Sequence, residues 1–165
     1  NRADAFVVAC FSDPGLHSAR ETTDRPVMGI SESGITTALT LGERFGIIAI
    51  LPAGISRHRR YIRQMGLESR LAGDRAIGVG VTGLNAEGAT DAVEERMQEI
   101  GRQLIEEDGA DVLIMGCAGM ARYRHALEDS LGVPVIDPSQ AAVGQAITAV
   151  RLGYTNNKTN TKTNT

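Results

Sequence analysis

The pattern of the chain predicts an α/β fold built on parallel sheets, and three observations carry that expectation. Short apolar and β-branched runs alternate with helix-like stretches, the signature of βαβ units. Glycine is abundant, at 19 residues, and aromatic residues make up 4% with no tryptophan, a profile suited to tight turns at strand ends. The third observation is an internal repeat. Ala3-Asp4-Ala5-Phe6-Val7-Val8-Ala9-Cys10 matches Ala110-Asp111-Val112-Leu113-Ile114-Met115-Gly116-Cys117: Ala-Asp, an apolar run, a small residue, then Cys. Further on, Ala19 and Glu21 match Ala126 and Glu128, and Pro26-Val27 matches Pro134-Val135 after a one-residue slip. Two related strand–Cys–helix–strand units therefore make up much of the chain.

Each element follows from a local signal. Residues 5–10 read as a buried strand, and the Asp13-Pro14-Gly15 turn starts a helix reaching about residue 22. A second strand is expected over 26–30, with Ser31-Glu32-Ser33 capping a helix over 35–41. Residues 45–51 form the next strand, ended by Pro52 and Gly54, before a basic helix over 56–66 and a strand over 76–81. The strongest helical pattern covers 90–108, where Val93, Met97, Ile100 and Leu104 share one face and Gly109 stops the helix. A strand over 111–116, a helix over 120–130, a strand over 133–136 and a helix over 139–152, N-capped by Ser139, complete the series. The expected organisation is a first lobe from 3–40 with 139–154, a second lobe from 41–138, and a polar, low-complexity, disordered tail over 155–165.

Composition narrows the function classes. With 165 residues, 42% hydrophobic and 22% charged, the chain can bury a real core. A net charge of −3 gives no electrostatic case for nucleic acid, and few aromatics means no base-stacking platform. No apolar run approaches membrane-spanning length, and no secretory signal opens the sequence. The expectation is a cytoplasmic protein with a small-molecule substrate, no nucleic-acid partner and no membrane partner; assembly into a homo-oligomer is left open.

The two cysteines are the chemical signal. Cys10 and Cys117 occupy equivalent repeat positions, each just past the carboxyl end of a parallel strand, where ligand sites form in open α/β sheets. A helix amino terminus favours the reactive thiolate and offers free backbone N–H groups. A lone cysteine at a strand end is usually core filler. Two cysteines, both at the matched position, make that explanation poor, and a disulfide lacks an oxidising setting. If the units pack with pseudo-twofold symmetry, the sulfurs face each other across a cleft. His17, His58 and His125 lack metal-ligand spacing and read as surface or helix residues. Arg57-His58-Arg59-Arg60 reads as a solvated helix face, and Gly78-Val79-Gly80-Val81-Thr82-Gly83 fits no nucleotide motif. Asp13 and Glu32 lie near strand ends, where substrate contact and capping explain them equally well.

Cys10-Phe11-Ser12-Asp13-Pro14-Gly15-Leu16, with Gly116-Cys117-Ala118-Gly119-Met120 and Val133-Pro134-Val135-Ile136-Asp137, resembles the hydantoin and allantoin racemases of the aspartate/glutamate/hydantoin racemase superfamily. The resemblance runs from about Ala3 to Tyr154. It implies two flavodoxin-like lobes with parallel sheets and an active site between them. It also implies an isomerase that needs no cofactor and no metal and moves a proton at a carbon next to a carbonyl. Carried over by motif, Cys10 and Cys117 are the catalytic acid and base, and Phe11, Ser12, Ala118 and Gly119 contact substrate. A hydantoin- or allantoin-like ring is the expected substrate. An Asp/Glu-type amino-acid racemase, a related decarboxylase and a non-enzymatic flavodoxin-like binding module remain as alternatives, although a decarboxylase would need only the second cysteine. The family's N-terminal Asn-Pro-Asn strand has no counterpart here. The repeat agrees: a strand near Gly46 precedes the Cys117 strand, but nothing comparable precedes the Cys10 strand, so the first lobe is expected to be incomplete.

Overall fold

The computed structural model describes residues 3–84 and 90–157 and contains two parallel sheets. The smaller sheet pairs β1 (Phe6–Val8) with β2 (Val27–Gly29), joined by α1 (Leu16–Thr22). The larger one has the order β4-β3-β5-β6, with β3 at Phe45–Ala49, β4 at Leu71–Ala76, β5 at Val112–Met115 and β6 at Val135–Ile136. All of its strand pairs are parallel. The α/β class with parallel sheets is thus as expected.

The four-stranded sheet is buried on both faces, so its central strands are continuous apolar runs rather than alternating ones. Strand alternation still sorts the side chains. Ile48, Leu113 and Met115 point to one side, where they meet Met97, Ile100 and Leu104 of α5 (Thr90–Glu106) and Leu127 of α6 (Arg124–Leu131). Phe45, Ile47, Val112 and Ile114 point to the other, against Ile30, Ile35 and Ala38 of α2 (Ile30–Ala38) and Ile62 of α3 (Pro52–Gln64). The closing helix α7 (Pro138–Arg151) packs on α2 and reaches both strands of the smaller sheet. Gly34 permits the α2–α7 approach: a Cβ there would lie 3.1 Å from Pro138 Cβ and 3.2 Å from Ile114. Beyond this packing, Phe6 and Val7 of β1 and Val143, Ile147 and Val150 of α7 are exposed.

Several boundaries differ from the sequence expectation, each for a physical reason. Helix α2 begins at Ile30, directly after β2, so Ser31, Glu32 and Ser33 lie within it and do not cap it. The capping acceptor is instead Asp13, from the loop after β1. Pro52 does not break the chain but opens α3 at its first position, where its missing N–H is harmless. Strand β4 lies earlier than 76–81 and carries two charged residues, Asp74 and Arg75, that hid it from an apolar-run search. The N-cap of α7 is Asp137, whose carboxylate accepts the N–H groups of Ser139 and Gln140, at 2.8 and 3.4 Å; Ser139 is inside the helix. Of the polar tail, Asn156 donates its backbone N–H to the Asp24 carbonyl at 3.0 Å, so residues 155–157 follow the body of the protein; 158–165 lie outside the described residues. No described helix is long and apolar enough to cross a membrane.

Candidate active site

Three loops at the carboxyl ends of parallel strands meet to form a cavity of about 330 Å³. The loop after β1 supplies Cys10, Phe11 and Ser12; the loop after β5 supplies Cys117, Ala118 and Gly119; Ile50 and Leu51, after β3, form further wall. All six residues singled out from the sequence therefore line one space.

The first loop is held rigidly. Asp13 N–H donates to the Cys10 carbonyl at 2.9 Å, and Asp13 adopts φ 42°, a left-handed conformation that Asp tolerates better than most residues. In that position its carboxylate accepts the N–H groups of Ser31 at 3.0 Å and Glu32 at 2.8 Å. Burial raises the Asp13 carboxyl above its ordinary value, opposed by those two backbone hydrogen bonds. Gly29 makes room for it, since a Cβ there would lie 2.3 Å from the Asp13 carboxylate carbon. Cys10 is left exposed, while Phe11 is buried.

The second loop is pinned by close backbone packing. Gly116 N–H donates to the Ile48 carbonyl at 2.9 Å, and a Cβ on Gly116 would meet that same oxygen at 2.9 Å. Cys117 is extended, with φ −160° and ψ 141°, and half-buried; a short 3₁₀ turn over Ala118–Tyr123 starts immediately after it. Gly119 keeps the space beside the thiol open, because a Cβ there would stand 3.8 Å from Cys117 Sγ.

Asp13 and Glu32 do not line the cavity. Asp13 is the cap just described, and Glu32 forms a two-armed contact with Arg20, at 3.0 and 3.2 Å, and accepts a hydrogen bond from Tyr61 Oη at 3.3 Å. Burial, with Glu32 and Asp13 nearby, pushes the Tyr61 phenol well above its ordinary range. The Gly78–Gly83 segment turns after β4, with Gly78 N–H donating to the Ile50 carbonyl at 3.0 Å, and runs into the short helix α4 (Val81–Leu84), whose Val81 is part of the cavity wall.

His58 corrects the sequence reading most sharply. It is not a surface residue of α3 but a buried one, with Nδ1 2.9 Å from Asp74 Oδ2 on β4 and its ring edge-on to Phe11 at 5.2 Å. It lines the cavity with Arg57. The one sequence signal for this pair was an acidic residue, Asp74, inside a short strand, which demands a buried partner.

A family model described as Asp/Glu/Hydantoin racemase matches residues 1–146. The chain belongs to the Asp/Glu/hydantoin racemase family. Within it, the chain falls in the hydantoin and allantoin racemase branch. It is 42% identical over 158 residues to a hydantoin racemase of Pseudomonas sp. (strain NS671), covering 96% of this chain and 63% of that protein. A hydantoin racemase of Paenarthrobacter aurescens is 39% identical over 160 residues, covering 97% of this chain and 67% of the relative. Among solved structures, the allantoin racemase from Pseudomonas fluorescens superimposes with a TM-score of 0.91 at 31% identity, covering 96% of this chain and 67% of that one. The chain thus spans about two thirds of the length of the relatives it matches.

Proposed function

We propose that the protein is a racemase of hydantoin- or allantoin-like rings and that Cys10 and Cys117 are its acid–base pair. The observation that carries the reading is that both thiols, from equivalent positions of an internal repeat, line one cavity. Inversion at a carbon next to a carbonyl requires a base on one face and an acid on the other. One cysteine, as thiolate, takes the proton; the electron pair moves into the carbonyl to give an enolate; the other cysteine, as thiol, returns a proton to the opposite face. The protein ends with the protonation states exchanged, ready for the reverse direction, and no electrons enter or leave. The first amides of the turn after Cys117, those of Ala118 and Gly119, lie at its N-terminal end, where backbone N–H groups are free of the turn's own bonds, and serve as donors for the enolate oxygen. Oriented donors of this kind are each worth roughly 3 kcal/mol in transition-state stabilisation.

Proton bookkeeping in heavy water tests the proposal. Cys10→Ser and Cys117→Ser, made in the full-length protein, are each expected to abolish interconversion of 5-methylhydantoin enantiomers. Each variant should still exchange the ring α-proton of one enantiomer without inverting it, and the two variants should select opposite enantiomers. Interconversion by either variant at close to the wild-type rate would exclude this pair. A non-enzymatic binding module exchanges no proton in this assay. The decarboxylase alternative is separated by a second substrate that carries a free carboxylate, a 2-substituted malonate, from which only a decarboxylase releases carbon dioxide.

A further inference from the structure

Besides the cysteines, the cavity has polar side chains from Ser12, Arg57 and His58. His58 alone among these three is built into the interior: its side chain is 7% exposed and is bonded through Nδ1 to the fully buried Asp74 carboxylate. The second Asp74 oxygen, Oδ1, has no hydrogen-bond partner among the described residues. An ionised carboxylate only accepts hydrogen bonds, so the 2.9 Å contact places a hydrogen on His58 Nδ1 and leaves Nε2 as the remaining polar atom of the ring. Among the described residues Nε2 has no protein partner.

The surroundings give that nitrogen somewhere to act. The Cε1–Nε2 edge lies beside Gly54, where a Cβ would stand 3.3 Å from Cε1 and 3.4 Å from Nε2. Gly54 is itself part of the cavity wall, so its missing side chain opens that wall to the imidazole. A second cavity, of about 180 Å³, is lined by the same Phe11, Ser12, Arg57 and His58. His58 therefore stands in the wall common to both spaces, with Phe11 holding its ring from the side. A buried His–carboxylate pair gives up the solvation of both groups, and apolar residues of similar size usually fill such a place at no loss of stability. Its placement at a cavity wall is explained by what Nε2 offers to a ligand.

We infer that His58 Nε2 hydrogen-bonds an amide group of the substrate ring and that Asp74 is the positioning residue that fixes the imidazole for this contact. The assignment rests on the racemase reading above and extends it to one polar substrate contact that the cysteine motifs do not supply. A cyclic ureide fits because its ring carries N–H and C=O groups along one edge. Such a ligand needs a hydrogen-bonding partner in an otherwise largely apolar space.

His58 shares this chain with two other histidines, His17 and His125, whose imidazole nitrogens serve as internal references. Nitrogen-15 NMR is run on histidine-labelled full-length protein with both cysteines replaced by Ser, which keeps a single enantiomer of 5-methylhydantoin intact. Resonances are assigned by their loss in His58→Gln. At saturation the His58 Nε2 resonance should move, while those of His17 and His125 stay fixed. A saturated protein with an unmoved His58 Nε2 overturns the assignment, whether or not the wild type racemises the compound. If wild-type protein binds neither 5-methylhydantoin nor allantoin, the substrate class itself falls, and this contact with it. Kinetics supply a second readout that a purely structural role would not give. His58→Leu should raise KM about tenfold or more with a smaller fall in kcat, and His58→Gln should recover most of the difference. Equal KM values for wild type and a folded His58→Leu also overturn it.

Discussion

The Asp13 carboxylate and the Ser31 backbone N–H lie 3.0 Å apart, so the loop that presents Cys10 is also the N-terminal cap of α2. Glu32 N–H adds a second bond to the same carboxylate at 2.8 Å. Site geometry and core stability are thereby coupled through one side chain, because α2 packs its buried face on β5.

Asp13→Ala should cost about 1–2 kcal/mol of stability, the usual range for a lost cap. The pH dependence follows from burial, which raises the Asp13 carboxyl above its ordinary 3.8 despite the two backbone donors. A raised acid contributes stability that is fully present below 3.8 and is lost as pH rises through the folded value. Urea titrations across that window should show the advantage of wild type over Asp13→Asn shrinking as pH rises. A growing advantage would contradict the assignment.

Gly116 and Gly119 flank Cys117 but should respond differently to a methyl group. At Gly116 the added carbon meets the Ile48 carbonyl at 2.9 Å and Ala49 Cα at 3.1 Å, both backbone atoms that cannot step aside. Gly116→Ala should lose about 1–3 kcal/mol. At Gly119 the contacts are Leu84 Cδ1 at 3.4 Å and Cys117 Sγ at 3.8 Å, which are ordinary distances. Gly119→Ala should melt close to wild type yet turn over more slowly, because the methyl group occupies space beside the thiol. Thermal melts alongside racemisation rates check both.

Arg75 on β4 grips Asp108 after α5 with two bonds, at 2.7 and 2.9 Å, and reaches Glu107 at 2.8 Å. The hydrogen bond from Arg75 is the main cause that lowers the Asp108 carboxyl below its ordinary 3.8. Stability from this contact is present above 3.8 and lost as pH falls through the lowered folded value, the reverse of Asp13. Both partners are partly solvated, so the effect is modest. Acid unfolding of Arg75→Gln should lose part of the wild-type slope between 3.8 and the lowered folded value; an unchanged slope would remove the contact from the account.

Exposed Cys10 should react with iodoacetamide faster than half-buried Cys117. Because both thiols share one cavity, a bound hydantoin should protect both together. Peptide mass spectrometry with and without ligand reads this, and protection of one thiol alone would count against a shared site.

The order of strands and helices, the parallel sheets and the site loops were legible in the sequence, because each rests on a local signal: an apolar run, a helical period, a repeat ending in Cys. The apolar run ending in Met115 read as a strand, and the matched positions of Cys10 and Cys117 pointed to one cavity. The matching run over 5–10, expected to be buried, instead leaves Phe6 and Val7 of β1 exposed. Capping was legible only in part. Asp13 was visible as a turn residue, but it caps a helix far along the chain, a distance that no local window spans, and Ser139 was expected where Asp137 is the cap. Strand β4 was misplaced because Asp74 and Arg75 interrupt its apolar pattern, and both are accommodated by partners on other elements, His58 and Asp108. The His58–Asp74 contact belongs wholly to the tertiary structure. Helix α3 and strand β4 must dock before the two side chains meet, and only packing removes the water that would otherwise satisfy each of them separately. Residue types and their periods decide which segments form and which chemistry they carry; docking decides which polar groups lose water together and must therefore satisfy one another.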